Sequence, residues 1–263
     1  MPWPGGGVTD LQTITNPVAL GVIASLLAGA ATGLGAIPIL FNRDFSRRSL
    51  DVMLGFAGGV MLAASAFSLL VPALEHPLGG VWVVGTGFMV GGLFVHLVDR
   101  YVPHEHIMKG HEGPATRLSR TWLLVIAITI HNFPEGLAVG VAFGSEELGT
   151  GLAIALAIGL QNIPEGLAVA APLVRQGYSK YRAAGIGLVT GLVEPLGGLV
   201  GVSVVTFAQF LLPWGLAFAA GAMVFVVSDE VIPESHSGGF ERFATIGLMI
   251  GFVVMMVLDN MFG

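Results

Sequence analysis

The stretch HNFPEGLAVG occupies residues 131–140, and a second copy of the same pattern, QNIPEGLAVA, occupies residues 161–170. Each copy places a polar pair, a proline and a glutamate inside an otherwise apolar run. A carboxylate at the centre of a bilayer costs roughly 2.5–3.5 kcal/mol or more, and it usually lines a polar cavity or pathway. Because neither packing nor lipid contact requires this combination, we expect the function to depend on these two stretches.

The composition around the two stretches is typical of a membrane protein. Of the 263 residues, 54% are hydrophobic and 11% are charged, and the mean hydropathy is +0.83. Soluble domains average about 25% charged residues. The chain has no cysteine, which excludes disulfides and thiolate metal sites, and it has no basic patch for nucleic acid. The first residues lack the basic segment of a cleavable signal peptide, so we expect the first apolar helix to be retained.

Eight stretches are long and apolar enough to cross a bilayer, which takes about 20 mostly apolar residues. The sequence therefore predicts an all-α integral membrane protein, with residues 1–263 in a single transmembrane domain. The predicted spans are residues 16–41, 52–74, 78–98, 121–144, 148–174, 183–209, 211–228 and 243–259.

The basic residues predict how these spans are oriented. All eleven lie in the connections between spans 1 and 2, 3 and 4, 5 and 6, and 7 and 8. Cytoplasmic loops carry an excess of Lys and Arg. Eight spans with both termini outside place every basic residue in the cytoplasm, whereas an odd number of spans would break this alternation.

Three carboxylates lie deep in predicted spans 4, 5 and 6, and each adjoins a proline. They are Glu135, Glu165 and Glu194. No Lys or Arg lies in any span to pair with them, so the countercharge must be a proton or a bound cation. A proline also frees the backbone carbonyl four residues before it, and such a carbonyl is a further oxygen ligand. We therefore predict Pro-kinked helices 4, 5 and 6 around a cation site near the middle of the membrane.

The two motifs should meet at that depth, because spans 4 and 5 run antiparallel through a short turn. Residues four apart share one helix face, so each motif presents its polar side chains together. The predicted site contains His131, Asn132, Glu135, Gln161, Asn162 and Glu165. One imidazole, amide oxygens and carboxylates suit borderline or harder divalent ions such as Zn²⁺, Fe²⁺, Mn²⁺ and Cd²⁺. Neutral amides are weak ligands, which favours release of the ion.

The paired motifs, on the fourth and fifth of eight spans, closely resemble those of the bacterial branch of the ZIP (Zrt-, Irt-like) family of divalent metal transporters. The resemblance extends to DVMLGFAGGVMLAASAFS in span 2, LVEPLGG in span 6 and DEVIPESH after span 7. It implies uptake of Zn²⁺ into the cytoplasm across the bacterial inner membrane, through a binuclear site at the midplane. It also implies that a helix group moves against a dimerising scaffold, and hence a homodimer. Carried over by position, the metal ligands are the six residues above and Glu194.

The resemblance also assigns roles on either side of the site. Met61 looks like a soft residue that contacts the ion from the outer side, and Ser68 and Glu75 look like the entrance. On the inner side, two polar stretches emerge where they could receive the leaving metal, although solvated loop charges would look the same. The exit residues proposed there are Asp99, His104, His106, Asp229, Glu230, Glu234 and His236.

Three other functions compete with a metal carrier. A proton- or sodium-coupled carrier could use the buried glutamates, but His131 and Met61 argue against it because neither helps to bind sodium. An intramembrane metalloenzyme would need a motif such as HExxH, which is absent, and we predict that the protein is not an enzyme. A passive channel stays open at this stage, because the same ligands serve pores and carriers.

Overall fold

The computed structural model describes residues 16–42, 44–106, 110–117, 120–145 and 147–262. Within these residues it has eight helices that are long and apolar enough to cross a membrane, which confirms the predicted all-α architecture. The helices are α1 (Pro17–Phe41), α2 (Arg47–Glu75), α3 (Val81–Tyr101), α4 (Arg120–Gly144), α5 (Leu148–Arg175), α6 (Lys180–Phe207), α7 (Gln209–Ser235) and α8 (Glu241–Phe262).

The helices alternate in direction, so the molecule has two ends. The basic residues of the helices lie in first or last turns at one end, where α2, α4, α6 and α8 begin, and we call this the inner end. The opposite end, where these four helices finish, is called the outer end. Serine side chains cap two of the inner starts. Ser46 accepts a hydrogen bond from the backbone of Ser49, and Ser179 accepts one from the backbone of Arg182.

Four of the helices are interrupted, and each resumes beside a proline. In α6 the helix stops at Gly191 and restarts at Glu194, next to Pro195. The other three are divided into shorter helical segments. These are α1 (Pro17–Ala36 and Pro38–Phe41), α2 (Arg47–Ala63, π-helical Ala64–Leu70, Val71–Glu75) and α7 (3₁₀ Gln209–Leu211, Leu212–Val226, π-helical Val227–Val231, Ile232–Ser235). A π-helical turn inside an α-helix is rare and often occurs at a functional site.

Prolines 134 and 164 differ from Pro195, because they lie within continuous helices. Pro134 is in the middle of α4, and Pro164 is in the middle of α5. Each still lacks a backbone N–H, so the carbonyl four residues earlier loses its helical partner. These freed carbonyls belong to Ile130 and Leu160.

The connection between α3 and α4 contains a short hairpin that the sequence did not predict. Strands β1 (His104–His106) and β2 (Gly110–Glu112) pair antiparallel, with His104 opposite Glu112. Three-residue strands are too short to produce a periodic sequence pattern. The hairpin matters here because it carries the side chain of His104 into the interior, where it is fully buried.

Predicted spans 3 and 7 end before acidic residues that the helices include. Span 3 was expected to end at residue 98, but α3 continues to Tyr101 and includes Asp99. Predicted span 7 ends at residue 228, but α7 continues to Ser235, so residues 229–235 of the DEVIPESH stretch are helical rather than a loop. The polar residues looked like loop residues in the sequence. In the structure Asp99 and Glu230 are buried against neighbouring helices, and this tertiary burial extends the two helices.

Close glycine contacts join α1, α4, α5 and α6 into a first group, called group A. A Cβ atom at Gly29 would collide with the backbone of Gly191, so α1 and α6 touch directly at the break in α6. A Cβ atom at Gly136 would collide in the same way with the backbone of Glu194, which joins α4 to α6. Helix α1 also packs along α5. Small residues permit such close helix crossings in membranes.

The other four helices, called group B, form two close pairs. Gly59 on α2 lies against the backbone of Leu248 on α8, and Gly91 on α3 lies against the backbone of Phe218 on α7. The two groups meet mainly where α2 packs on α5 and where α7 packs on α4. The proposed metal ligands of the twin motifs and Glu194 therefore all belong to group A.

Candidate functional site

Helices α4, α5 and α6 bring the predicted midplane residues together in the interior. The helical spacing of each motif points its polar side chains toward the neighbouring helix, and the break in α6 presents Glu194 beside them. None of these residues is more than 8% exposed. The buried set is His131, Asn132, Glu135, Gln161, Asn162, Glu165 and Glu194.

The two amides of α5 hold two of the carboxylates. Gln161 donates from Nε2 to Oε1 of Glu135 over 2.6 Å. Asn162 donates from Nδ2 to Oε1 of Glu194 over 2.6 Å and to the carbonyl oxygen of Ala28 over 2.8 Å. Helix α5 is thereby tied to α4, α6 and α1 at the level of the site. The amide nitrogens fix the carboxylates and leave the amide oxygens facing elsewhere.

Several buried polar atoms of this set have no hydrogen-bond partner. A buried polar group without a partner costs about 1–3 kcal/mol, so this many in one place indicates a ligand. Almost all of them are oxygens, which a cation would satisfy. The atoms are Oε2 of Glu135, Oε1 of Gln161, Oδ1 of Asn162, Oε2 of Glu194 and both amide atoms of Asn132. Carboxylate and amide oxygens beside an imidazole fit a divalent transition metal.

A cavity of about 30 Å³ lies beside these side chains, which exceeds the roughly 10–15 Å³ that one water requires. Its wall runs from Glu135 at mid-depth to Glu234, close to the inner end of α7. Among the described residues that line it are one histidine and four glutamates, with no Lys or Arg. The lining is Leu54, Ala127, Ile128, His131, Glu135, Glu165, Ala168, Val226, Glu230, Val231 and Glu234.

Glu230 is in direct contact with the midplane site, which the sequence did not predict. Its Oε1 lies 2.6 Å from Nε2 of His131, and both side chains are buried. Glu230 lies in the π-helical turn of α7, so this contact joins group B to group A. Because predicted span 7 ends at residue 228, the sequence placed Glu230 beyond the span rather than beside the site. The available signal was weak: Pro233 lies three residues after Glu230, whereas each of the deep glutamates directly adjoins a proline.

Glu230 also belongs to a buried cluster nearer the inner end. Ligand atoms of Asp99, His104 and Glu230 all lie within 4.8 Å of one another. Nε2 of His104 is 3.6 Å from Oδ1 of Asp99. Nδ1 of His104 lies 2.7 Å from the carbonyl oxygen of Val102, and since a carbonyl only accepts, Nδ1 carries the hydrogen. Nε2 is therefore the ring nitrogen that faces the carboxylates, the arrangement typical of a metal-binding histidine.

The other proposed exit residues are distributed differently. Glu234 lines the cavity, whereas Asp229 lies in a separate groove between α3 and α7, next to Phe225. His236 bonds to the carbonyl of Ile232 through Nδ1, and its Nε2 lies 3.0 Å from the hydroxyl of Thr245, which links α7 to α8. The side chain of His106 lies outside the described residues.

At the outer end, the structure adds one acidic residue to the proposed entrance. The hydroxyl of Ser68 donates to Oδ1 of Asp259 over 2.5 Å. Asp259, near the end of α8, was missed, although it is the only carboxylate of predicted span 8. Glu75 is exposed at the end of α2. Met61 is 1% exposed and lies within the apolar core rather than on the cavity wall.

The sequence is similar to those of several proteins named as zinc transporters. The sequence model of the family described as ZIP Zinc transporter matches residues 103–259. The chain is 50% identical over 251 residues to "Zinc transporter GufA" of Myxococcus xanthus, covering 92% of this chain and 99% of that protein. It is 46% identical over 270 residues to "Zinc transporter ZIPB" of Bordetella bronchiseptica, covering 98% and 86%. It is 39% identical over 254 residues to "Zinc transporter ZupT" of Chlorobium luteolum, covering 89% and 94%.

Proposed function

The chain belongs to the ZIP zinc transporter family, and from this premise we propose that it imports Zn²⁺ into the cytoplasm through the site between α4, α5 and α6. The observation that carries this proposal is the group of buried carboxylate and amide oxygens without partners. They lie beside a cavity with no Lys or Arg among the described residues that line it. The relatives are named as transporters rather than enzymes. The protein is accordingly not an enzyme.

The site has room in its ligand set for two ions. His131, Glu135 and Glu165 line the cavity and would hold the ion that exchanges with the inner side. The remaining ligands are not part of that lining and would hold a second, enclosed ion next to the first. They are Asn132, Gln161, Asn162 and Glu194. Two carboxylates neutralise one divalent ion. The three glutamates of the two sets supply three negative charges, which neutralise one ion fully and a second ion in part.

We infer that the ion leaves by way of Glu230. This carboxylate touches His131 and also lies within 4.8 Å of ligand atoms on Asp99 and His104. An ion that exchanges one ligand at a time can pass from His131 to the inner cluster without losing all of its coordination. Glu234, on the same cavity wall, continues the acidic path toward the inner end.

The proposal extends to the remaining expectations from the family. Cd²⁺, Fe²⁺ and Mn²⁺ are proposed as further substrates, because the donor atoms do not discriminate strictly among these ions. The inner end would face the cytoplasm across a bacterial inner membrane, with both termini outside. Group A would move against group B within a homodimer. Most of the close glycine contacts lie inside a group, which is in keeping with this motion, and Gly149 on α5 against Phe262 on α8 is a close contact that would have to separate.

Zinc uptake by purified protein in liposomes tests the proposal directly. Glu165→Gln removes one charge from the cavity wall while keeping the shape of the side chain. We expect wild-type protein to take up Zn²⁺ with saturation, and we expect uptake by Glu165→Gln to fall to the level of empty liposomes. Saturation would also separate a carrier from a passive channel.

Glu147→Gln is the matched control, because Glu147 is an exposed glutamate at the outer start of the same helix. Its uptake should equal that of the wild type. If Glu165→Gln, still folded by size-exclusion chromatography, transported Zn²⁺ at the wild-type rate, the pathway would lie elsewhere. If wild-type protein moved no divalent ion, coupling of the glutamates to protons or sodium would become the better explanation.

A further inference from the structure

The midplane site is closed on its outer side by a layer of buried side chains, which we call the roof. Glu135 on α4 is followed toward the outer end by Ala138 and Val139, and Gln161 on α5 is preceded on that side by Ile158. These apolar side chains are fully buried and belong to one continuous core. An ion that arrives from Ser68 would pass through the roof, because the lining of the described cavity extends from Glu135 to Glu234 near the inner end and includes none of these roof residues.

Group B contributes two thioethers to the roof. Met61 on α2 lies about two helical turns outward of the cavity-lining residue Leu54, on the same helix face. Met223 on α7 lies about one turn outward of the cavity-lining residue Val226. Both methionines are 1% exposed, and both belong to the same core as Ala138. The two helices that face α4 and α5 thus each carry one sulfur at the outer boundary of the site.

We propose that Met223 determines ion specificity together with Met61, as a pair of soft ligands through which the metal enters the midplane site. This inference rests on the proposed function and extends it to a residue outside the twin motifs. Thioether sulfur is polarizable and binds soft ions, whereas the Ser68–Asp259 pair and the midplane glutamates offer oxygen. Sulfur between two oxygen-rich positions favours Cd²⁺ and Zn²⁺ over Mn²⁺ during passage.

Replacement of methionine by leucine removes the sulfur atom but largely keeps the packing, because the two side chains have similar volumes and such exchanges are well tolerated. Uptake of Cd²⁺ and of Mn²⁺ is measured separately in liposomes for wild type and Met223→Leu. We expect the ratio of the Cd²⁺ rate to the Mn²⁺ rate to fall about tenfold, which corresponds to about 1.4 kcal/mol. Met61→Leu should change the ratio in the same direction.

Met255→Leu is the matched control. Met255 is equally buried in the same core, but it lies on α8, which supplies no residue to the cavity lining. The ratio of the Cd²⁺ rate to the Mn²⁺ rate for Met255→Leu should equal that of the wild type. If Met223→Leu left the ratio unchanged, or slowed both ions equally, Met223 would only fill space and the proposal would be overturned. Should Met223→Leu fail to fold, Met223→Ile carries the same test.

The result also separates this inference from the proposed function. An unchanged ratio in Met223→Leu, together with uptake that Glu165→Gln abolishes, rejects the thioether pair and leaves the zinc pathway intact. If wild-type protein transports no divalent ion, or if Glu165→Gln leaves uptake unchanged, the proposed pathway itself is rejected.

Discussion

The side-chain amides of Gln161 and Asn162 illustrate how the site is prepared at the level of single residues. Each amide nitrogen donates to a carboxylate over 2.6 Å, so the oxygen of the same amide must face away from that carboxylate. Both amide oxygens are buried without a partner. The amides therefore position the glutamates and present their own oxygens at the same time, which is a reason for amides rather than further carboxylates at these positions.

Asn162→Asp tests this positioning role. The substitution keeps the shape but removes the N–H donors that bond Glu194 and the carbonyl of Ala28, and it places acceptors against acceptors. We expect the metal-free protein to lose about 1–3 kcal/mol of stability, and we expect added Zn²⁺ to raise its unfolding temperature more than that of the wild type. Thermal unfolding in detergent, with and without Zn²⁺, measures both effects.

Asn260→Asp is the corresponding control, because Asn260 is exposed at the outer end of α8. Its unfolding temperature should match the wild type with and without metal. Equal unfolding temperatures for Asn162→Asp and the wild type in the absence of Zn²⁺ would contradict the positioning role of the amide.

At the scale of helices, the contact between α4 and α6 decides where Glu194 lies. Gly136 follows Glu135 directly, and its missing side chain lets α4 touch the backbone of Glu194 where α6 restarts. The break in α6 and the glycine in α4 therefore act together. The break presents the carboxylate of Glu194 at mid-depth, and the glycine allows this carboxylate to approach the ligands of α4.

Gly136→Ala should separate the two helices. The added methyl group would collide with the backbone of Glu194, and backbone cannot rotate away as a side chain can. We expect a loss of stability of about 1–3 kcal/mol and a marked fall in Zn²⁺ uptake, measured by thermal unfolding and by flux into liposomes. Gly85→Ala is the control, since a Cβ at Gly85 on α3 would meet no atom within 4 Å. Comparable stability and uptake for both variants would rule out the close crossing.

For the whole molecule, the important property is that the described cavity extends from the site toward the inner end, whereas buried apolar side chains lie on the outer side of the site. The cavity wall continues from Glu135 to Glu234 near the inner end, while the roof fills the space toward Ser68. Alternating access requires a second arrangement in which the roof separates and the inner cavity closes. The interfaces of α2 with α5 and of α7 with α4 are the surfaces that would slide.

Single cysteines can report this asymmetry cleanly, because the natural chain contains none. Ala168→Cys places a thiol on the cavity wall, and Ala142→Cys places one in the apolar core beyond the roof. We expect a small water-soluble thiol reagent to label Ala168→Cys when the reagent is present on the side of the membrane that the inner end of the protein faces. Excess Zn²⁺ should slow this reaction. Ala142→Cys should react far more slowly from either side. Faster labelling of Ala142→Cys than of Ala168→Cys would mean that the site opens outward instead.

The sequence by itself determined the eight helices and the group of residues at mid-depth. These features depend on local properties: a long apolar run needs no distant partner to be helical in a membrane, and helical spacing alone puts residues 131 and 135 on one face. The deep glutamates without a basic partner indicated a cation, and the twin motifs indicated the family. The family comparison bears out that resemblance.

Only the tertiary structure decided which residues from distant parts of the chain meet at the site. Glu230 reaches His131, and Asp259 reaches Ser68 across 191 residues of sequence, because α7 and α8 pack against α4 and α2. The hairpin that buries His104, the extension of α7 past residue 228 and the closed roof likewise depend on contacts between helices. Periodicity describes which face of a helix is polar, but it carries no information on which other helix that face will meet.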